Sequence, residues 1–208
     1  GLAGAAVAPR AWAQATDAGL TAFLDAEHEA LLQMDPETLT RLGRKEQYGR
    51  LTDRSDAGLE ARLARRRQSV AAMKARFDPA KLSEDARTSF DMWALELERA
   101  ERTPRWRGHA YVFDRNGPHT RLPNFLINQH RVAAPADMDA YIARLAAIGP
   151  ALDEQLDRAK RSAAAGVRMP RFAYDQSLAE VRRLVAGAPF AAGADSALLA
   201  DAKAKIGA

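Results

Sequence analysis

Cysteine is absent from this 208-residue chain. That excludes disulfides, thiolate metal ligands and a cysteine nucleophile, and by itself it leaves the compartment undecided. No run approaches the ~20 consecutive apolar residues a membrane-spanning helix needs, so the mature protein is expected to be soluble. A G-x-S-x-G elbow, a G-x-x-x-x-G-K phosphate loop and a dinucleotide fingerprint are all missing, which removes the familiar serine-hydrolase and nucleotide signatures. Neither charge sign predominates: 31 basic residues face 27 acidic ones, for a net charge of +4. The arginines are scattered rather than gathered in one block, so no nucleic-acid partner is expected. What is present is an ordinary globular balance of 47% hydrophobic and 28% charged residues, which predicts a packed core and, at this length, one domain.

The first residues, Gly1 to Ala15, form a small, apolar, Ala-rich run containing Ala11-Trp12-Ala13, the A-x-A form of a signal-peptidase site. Residues 1–15 are therefore read as the tail of a secretory signal, with a flexible leader as the plainer alternative. Residues 16–208 are read as the helical region proper. An exported, periplasmic location follows from the signal reading.

Periodicity then predicts an all-α chain, an array of antiparallel amphipathic helices. Leu20, Phe23, Leu24, Leu31 and Leu32 mark a helix over 16–34 that must stop near Asp35-Pro36, because proline disfavours helix in the residue before it. The stretch 35–55, broken by Gly43 and Gly49, reads as turn with a short helical piece, and Asp53 or Ser55 can cap the next helix. Leu59, Leu63, Val70, Met73 and Phe77 share one face of a helix over 56–77. Ser83 and Glu84 open another, carrying Phe90, Trp93, Leu97 and Ala100.

Residues 104–135 interrupt the pattern with Pro104, Gly108, Gly117, Pro118 and Pro123 and with the β-favouring runs Tyr111-Val112-Phe113 and Phe125-Leu126-Ile127. A short β-hairpin fits this irregular segment. A long helix from about Ala136 places Met138, Tyr141, Ile142, Leu145, Ile148, Leu152 and Leu156 along one side, with Gly149-Pro150 expected to kink or divide it. Gly166 should stop it, a further amphipathic helix carries Phe172, Leu178, Val181, Leu184 and Val185, and Ser196 to Ile206 again reads as helical.

Candidate chemistry is sparse. A zinc-protease helix needs two histidines four residues apart, and His28-Glu29 has leucine at position 32 where the second ligand belongs. His28 then reads as a histidine bordering an apolar stripe. His109, His119 and His130, spaced by 10 and 11 residues, match no compact ligand pattern and read as polar turn residues rather than a zinc site. The densest basic patch, Arg62 to Arg67, reads as a solvated helix face, with phosphate or anionic lipid as the alternative. Asp91, Glu96 and Glu98 lie among arginines at spacings of surface pairs rather than of an acid/base couple.

Leu122-Pro123-Asn124-Phe125-Leu126-Ile127-Asn128-Gln129-His130-Arg131-Val132, then Tyr141-Ile142-Ala143-Arg144-Leu145, then Gly166 with Pro170-Arg171, resemble the bacterial domain of unknown function 885 family. Asp35-Pro36-Glu37, Thr40, Leu42-Gly43 and Leu51-Thr52-Asp53-Arg54-Ser55 resemble the start of that domain. The resemblance covers about 18–206. It implies a much longer, often exported protein similar to zincin metallopeptidases, whose His-Glu-x-x-x-Gly-His-type helix lies in the C-terminal half. This chain has no such motif, so no catalytic residue and no cofactor is carried over to it; zinc, where present, belongs to the full-length protein.

By that resemblance the chain corresponds to the helical N-terminal third, part of the wall of a substrate groove, with the remaining C-terminal part as its partner and a peptide as substrate. Polar loops are where binding residues concentrate, so Tyr111, Asn124, Asn128, His130 and Arg131 are the candidates to reach the groove. The favoured reading is the plainer one, that Asn128 and Arg131 only stitch the loop to neighbouring helices. The competing function is a stand-alone helical binding module of the cell envelope.

Overall fold

The computed structural model describes residues 8–186. Among them are seven α-helices and no strand: α1 (Ala8–Leu32), α2 (Pro36–Arg41), α3 (Asp56–Arg76), α4 (Glu84–Arg102), α5 (Pro118–Asn128), α6 (Pro135–Ala164) and α7 (Arg171–Val185). The all-α architecture is as the periodicity predicts. None of the described helices is long and apolar enough to cross a membrane. The expected helix from Ser196 to Ile206 lies outside the described residues.

The chain divides into two compact units, one formed by residues up to Met34 together with Asp56–Arg105, the other by Asp35–Ser55 together with the chain from Trp106 onward. In the first unit α1, α3 and α4 close on an apolar core of Leu20, Phe23, Met73, Phe77, Leu82 and Phe90. The 3.6-residue period puts these positions on one face of each helix. Phe23 and Phe77 meet with ring centroids 5.8 Å apart, and the Arg76 guanidinium lies over both rings.

Ser83 caps α4 through its hydroxyl, which accepts from the backbone N–H of Ala86, while its own N–H donates to Asp17 of α1. Trp93 donates its indole N–H to the buried Ser69 hydroxyl at 2.9 Å, which satisfies the polar edge of a half-buried ring. The basic face of α3 is less solvated than its sequence suggests. Arg65 pairs with Glu27 at 2.7 Å, Arg62 donates to the Met34 carbonyl, and Arg67 bridges Glu60 and Glu101.

The second unit departs from expectation in two places. Residues 104–135 hold no hairpin: Phe125, Leu126 and Ile127 lie in α5, and Tyr111 to Phe113 lead into a turn that Asp114 closes by accepting from the N–H groups of Asn116 and Gly117. The reason is that Leu122, Phe125 and Leu126 are all buried at i, i+3 and i+4, a helical period that overrides the β preference of the individual residues. Gly117 and Pro118 stand at the N-cap and first-turn positions, where proline's missing N–H costs nothing. Gly117 is also required by space, since a Cβ there would sit 2.7 Å from the Val112 carbonyl oxygen.

The second departure is α6, which runs undivided through Gly149 and Pro150. Its fully buried residues are Asp137, Arg144 and Ser162, all polar, whereas Leu145 and Leu156 of the expected apolar stripe are exposed. Gly166 ends it as expected, with φ of +85°.

The apolar core of the first unit makes a direct prediction on one helix. Phe90→Ala should cost about 3–5 kcal/mol through lost burial and the cavity left behind, while Met92→Ala, at a 60%-exposed position, should stay within about 0.5 kcal/mol. Urea denaturation of the two variants checks this, and similar losses would refute the assigned core face.

Candidate functional site

The polar residues singled out in the second unit converge first on Glu37, whose side chain is wholly buried near the start of α2. Both nitrogens at the end of Arg54 donate to its carboxylate, Arg121 of α5 donates to Oε2 at 2.9 Å, and Arg41 lies 3.7 Å from the same oxygen. A buried carboxylate requires such partners, because desolvation would otherwise drive it neutral. Asp35 beside it caps α2 and accepts from the hydroxyls of Thr38 and Thr52. Burial pushes the Asp35 carboxyl up, but the Thr52 and Thr38 bonds and the Arg54 charge outweigh it and hold the group below its usual value.

A second centre is Arg144 of α6, fully buried. It donates to the Arg50 and Pro36 carbonyls, to the Thr40 hydroxyl at 2.7 Å and to Nδ1 of His130 at 2.9 Å, with its guanidinium over the rings of Tyr48 and Phe125. Burial lowers its pKa to about 10, which leaves it cationic at neutral pH.

An arginine can only donate, so His130 Nδ1 must be the acceptor and Nε2 must carry the proton given to the Asp137 carbonyl at 3.0 Å. The imidazole stacks on Tyr48 and meets Tyr141 edge-on. Asp137 in turn accepts from Lys45 and from the N–H groups of Ala133 and Ala134, closing the first turn of α6.

Of the five groove candidates, His130 is therefore buried with both nitrogens occupied. Arg131 exposes its side chain, while its backbone N–H and carbonyl both bond the Tyr48 hydroxyl at 2.9 Å. Asn124 and Asn128 are exposed and one turn apart on α5. Tyr111, 47% exposed, borders a cavity.

That cavity, about 570 Å³, lies in the second unit among α6, α7 and the 110–113 turn. Leu152, Leu156, Leu178, Val181 and Met169 make its walls largely apolar. His119 and Ser162 also line it; they are 3% and 5% exposed, and neither ring nitrogen of His119 nor the Ser162 hydroxyl has a hydrogen-bond partner in the protein. Burial holds the His119 imidazole below its ordinary pKa against the opposing charges of Asp114 and Glu180. Sequence reasoning missed this site because Leu152, Leu156, Leu178 and Val181 read as two core stripes.

Among the described residues no group of three His, Asp or Glu side chains is placed to hold a metal. His109 packs edge-on to Trp106, His119 lies beside Phe113, and His130 is bonded to Arg144.

The two buried histidines fix a pH dependence. Burial, chiefly, lowers the pKa of both His130 and His119, with the Arg144 charge adding to the effect at His130. Just below the ordinary value of 6.5 the unfolded chain binds more protons than the folded one, so stability falls as pH drops through that window toward the folded values. Asp35 and Asp137 are shifted below 3.8, and their contribution is complete above that pH and lost only as pH falls further. Urea midpoints should therefore decline from pH 7 to 5.5, and the decline should shrink in His130→Gln; an undiminished decline would show that His130 is not held neutral.

No curated protein and no solved structure matches the chain. A family model, described as bacterial protein of unknown function (DUF885), matches residues 36–207. That span takes in the Glu37 and Arg144 centres and the whole cavity, and on it the chain belongs to the DUF885 family.

Proposed function

We propose that this chain is a non-catalytic helical region of a longer, exported, zinc-metallopeptidase-like protein, and that it supplies part of the wall against which a peptide substrate lies. The observation that carries the reading is the largely apolar cavity bordered by Tyr111, α6 and α7, with a volume inside the range of about 300–1,000 Å³ typical of ligand sites. The arrangement of the charged groups supports it. Glu37 is taken up by Arg54 and Arg121, and His130 by Arg144 and the Asp137 carbonyl, so their chemistry is that of a scaffold. No bond-making step is assigned to any residue of this chain; zinc and its ligands belong to the rest of the protein.

Peptide cleavage by the full-length protein tests this, with Leu178→Asp on the half-exposed cavity wall as the variant. KM should rise about tenfold, equivalent to about 1.4 kcal/mol of binding, with kcat and zinc content unchanged. An unchanged KM, or a native protein no larger than the 22.7 kDa of this chain, would contradict the reading.

A further inference from the structure

Helix α7 is packed unlike α5 of the same unit. In α5 the apolar residues Leu122, Phe125 and Leu126 are sealed from water, whereas Phe172, Leu178, Val181 and Val185 of α7 are between 39% and 84% exposed. Among the described side chains of α7, Ser177 is the one that is buried. Its hydroxyl donates to the Phe113 carbonyl at 2.6 Å, and among the described residues this is the one hydrogen bond between a side chain of α7 and another part of the chain. A helix is held chiefly by burial of its apolar face, so α7 rests on a single polar contact beside a cavity it does not fill.

Both walls of that cavity are partly open to water. Leu178 and Val181 of α7 line it together with Leu152 and Leu156 of α6, and Leu156 is itself exposed. Movement of α7 toward α6 would bury all four. The space of about 570 Å³ amounts to several side chains, and closing over it empty would only replace an open cavity by a void, whose lining gains no contacts. With apolar side chains of a peptide inside, closure gains contact on both walls at once.

The connection between the helices permits the movement. α6 ends at Gly166, where φ is +85° and a Cβ would meet nothing, so glycine is required there by the backbone angle and not by space. Residues 167–170 then form no helix, and Val167 and Met169 among them line the cavity. A turn about this segment swings α7 at the cavity's own edge.

We propose that α7 is a lid, hinged at residues 167–170, that closes toward α6 on the apolar side chains of a peptide, and that the Ser177 bond to the Phe113 carbonyl holds it open. This rests on the reading of the cavity as part of a substrate wall, and it adds how the substrate is gripped. Closure releases the Ser177 bond, so that bond opposes binding; a serine that only supported the site would favour it.

The chain has no cysteine, so spin labels introduced by Glu154→Cys on α6 and Arg182→Cys on α7, both exposed positions, report the separation of these two helices alone. Double electron-electron resonance measures it in the 208-residue chain with and without an acetylated, amidated Leu-Phe-Leu peptide, whose binding calorimetry follows. A serine-glycine peptide of equal length is the control. The apolar peptide should narrow the distance distribution and shorten its mean by about 2–5 Å, and the control should leave it unchanged. Ser177→Ala should broaden the distribution in the free chain and tighten peptide binding about threefold. Circular dichroism verifies folding, and should Ser177→Ala fail to fold, the distances with Ser177 in place decide alone. If the peptide binds with no change in distance, the lid is wrong while the apolar wall stands. If Ser177→Ala weakens binding, Ser177 belongs to the bound state and the latch is overturned. If the peptide does not bind, the lid and the wall fall together.

Discussion

The second unit depends on one buried cation. Arg144 reaches from α6 to four separate parts of the chain: the Pro36 carbonyl and Thr40 hydroxyl of α2, the Arg50 carbonyl in the following loop, His130 just beyond α5, and the ring of Phe125 within it. Removing a guanidinium from water is costly, and only a nearly full set of acceptors offsets that cost. The acceptors come from segments up to 108 residues away in sequence, so the bonds form only when those segments are all in place. Such a group contributes less to net stability than to the choice of one arrangement over others, because any slip of α2 or α5 would strand it unpaired. His130 and Asp137 extend the same logic, each fixed by the partner the other leaves open.

The two units are thus built on different physics. The first is an apolar core of leucine, methionine and phenylalanine between three long helices, tolerant in detail and stabilised by burial. The second is organised around Glu37 and Arg144, with Leu39, Leu122, Phe125 and Leu126 packed among them. Several of the residues through which the sequence resembles the DUF885 family, among them Asp35-Pro36-Glu37, Thr40, Thr52, Arg54, His130 and Arg144, belong to this network. In this part of the chain those residues form a scaffold, and beyond it α6 and α7 line the cavity with apolar side chains.

Helical periodicity made α3 and α4 legible nearly to the residue, because their apolar positions repeat on one face and Ser83 and Pro104 bracket α4. It failed on α5, where Pro123 and the β-branched Ile127 concealed a helix whose buried residues are Leu122, Phe125 and Leu126. It also misjudged α6. Periodicity shows which residues share a face, but not which face is covered, and Asp137, Arg144 and Ser162 are buried for reasons that lie elsewhere in the sequence. Of the site, Tyr111 was legible as an aromatic in an irregular segment. His119 and Ser162 were not, since nothing local distinguishes a histidine that faces a cavity from one that faces water.

The groove-wall reading requires that α5 and α6 be held in one arrangement, and the Arg144 network ties both to α2. Hydrogen exchange on Arg144→Lys, which keeps the charge and loses the planar fork, tests that dependence most directly. Amide protection should fall together in α2, in α5 and in the first turns of α6, because the variant releases Thr40, Pro36 and His130 at once. A loss confined to the turn of α6 around position 144 would show that the network decorates the fold rather than holding it.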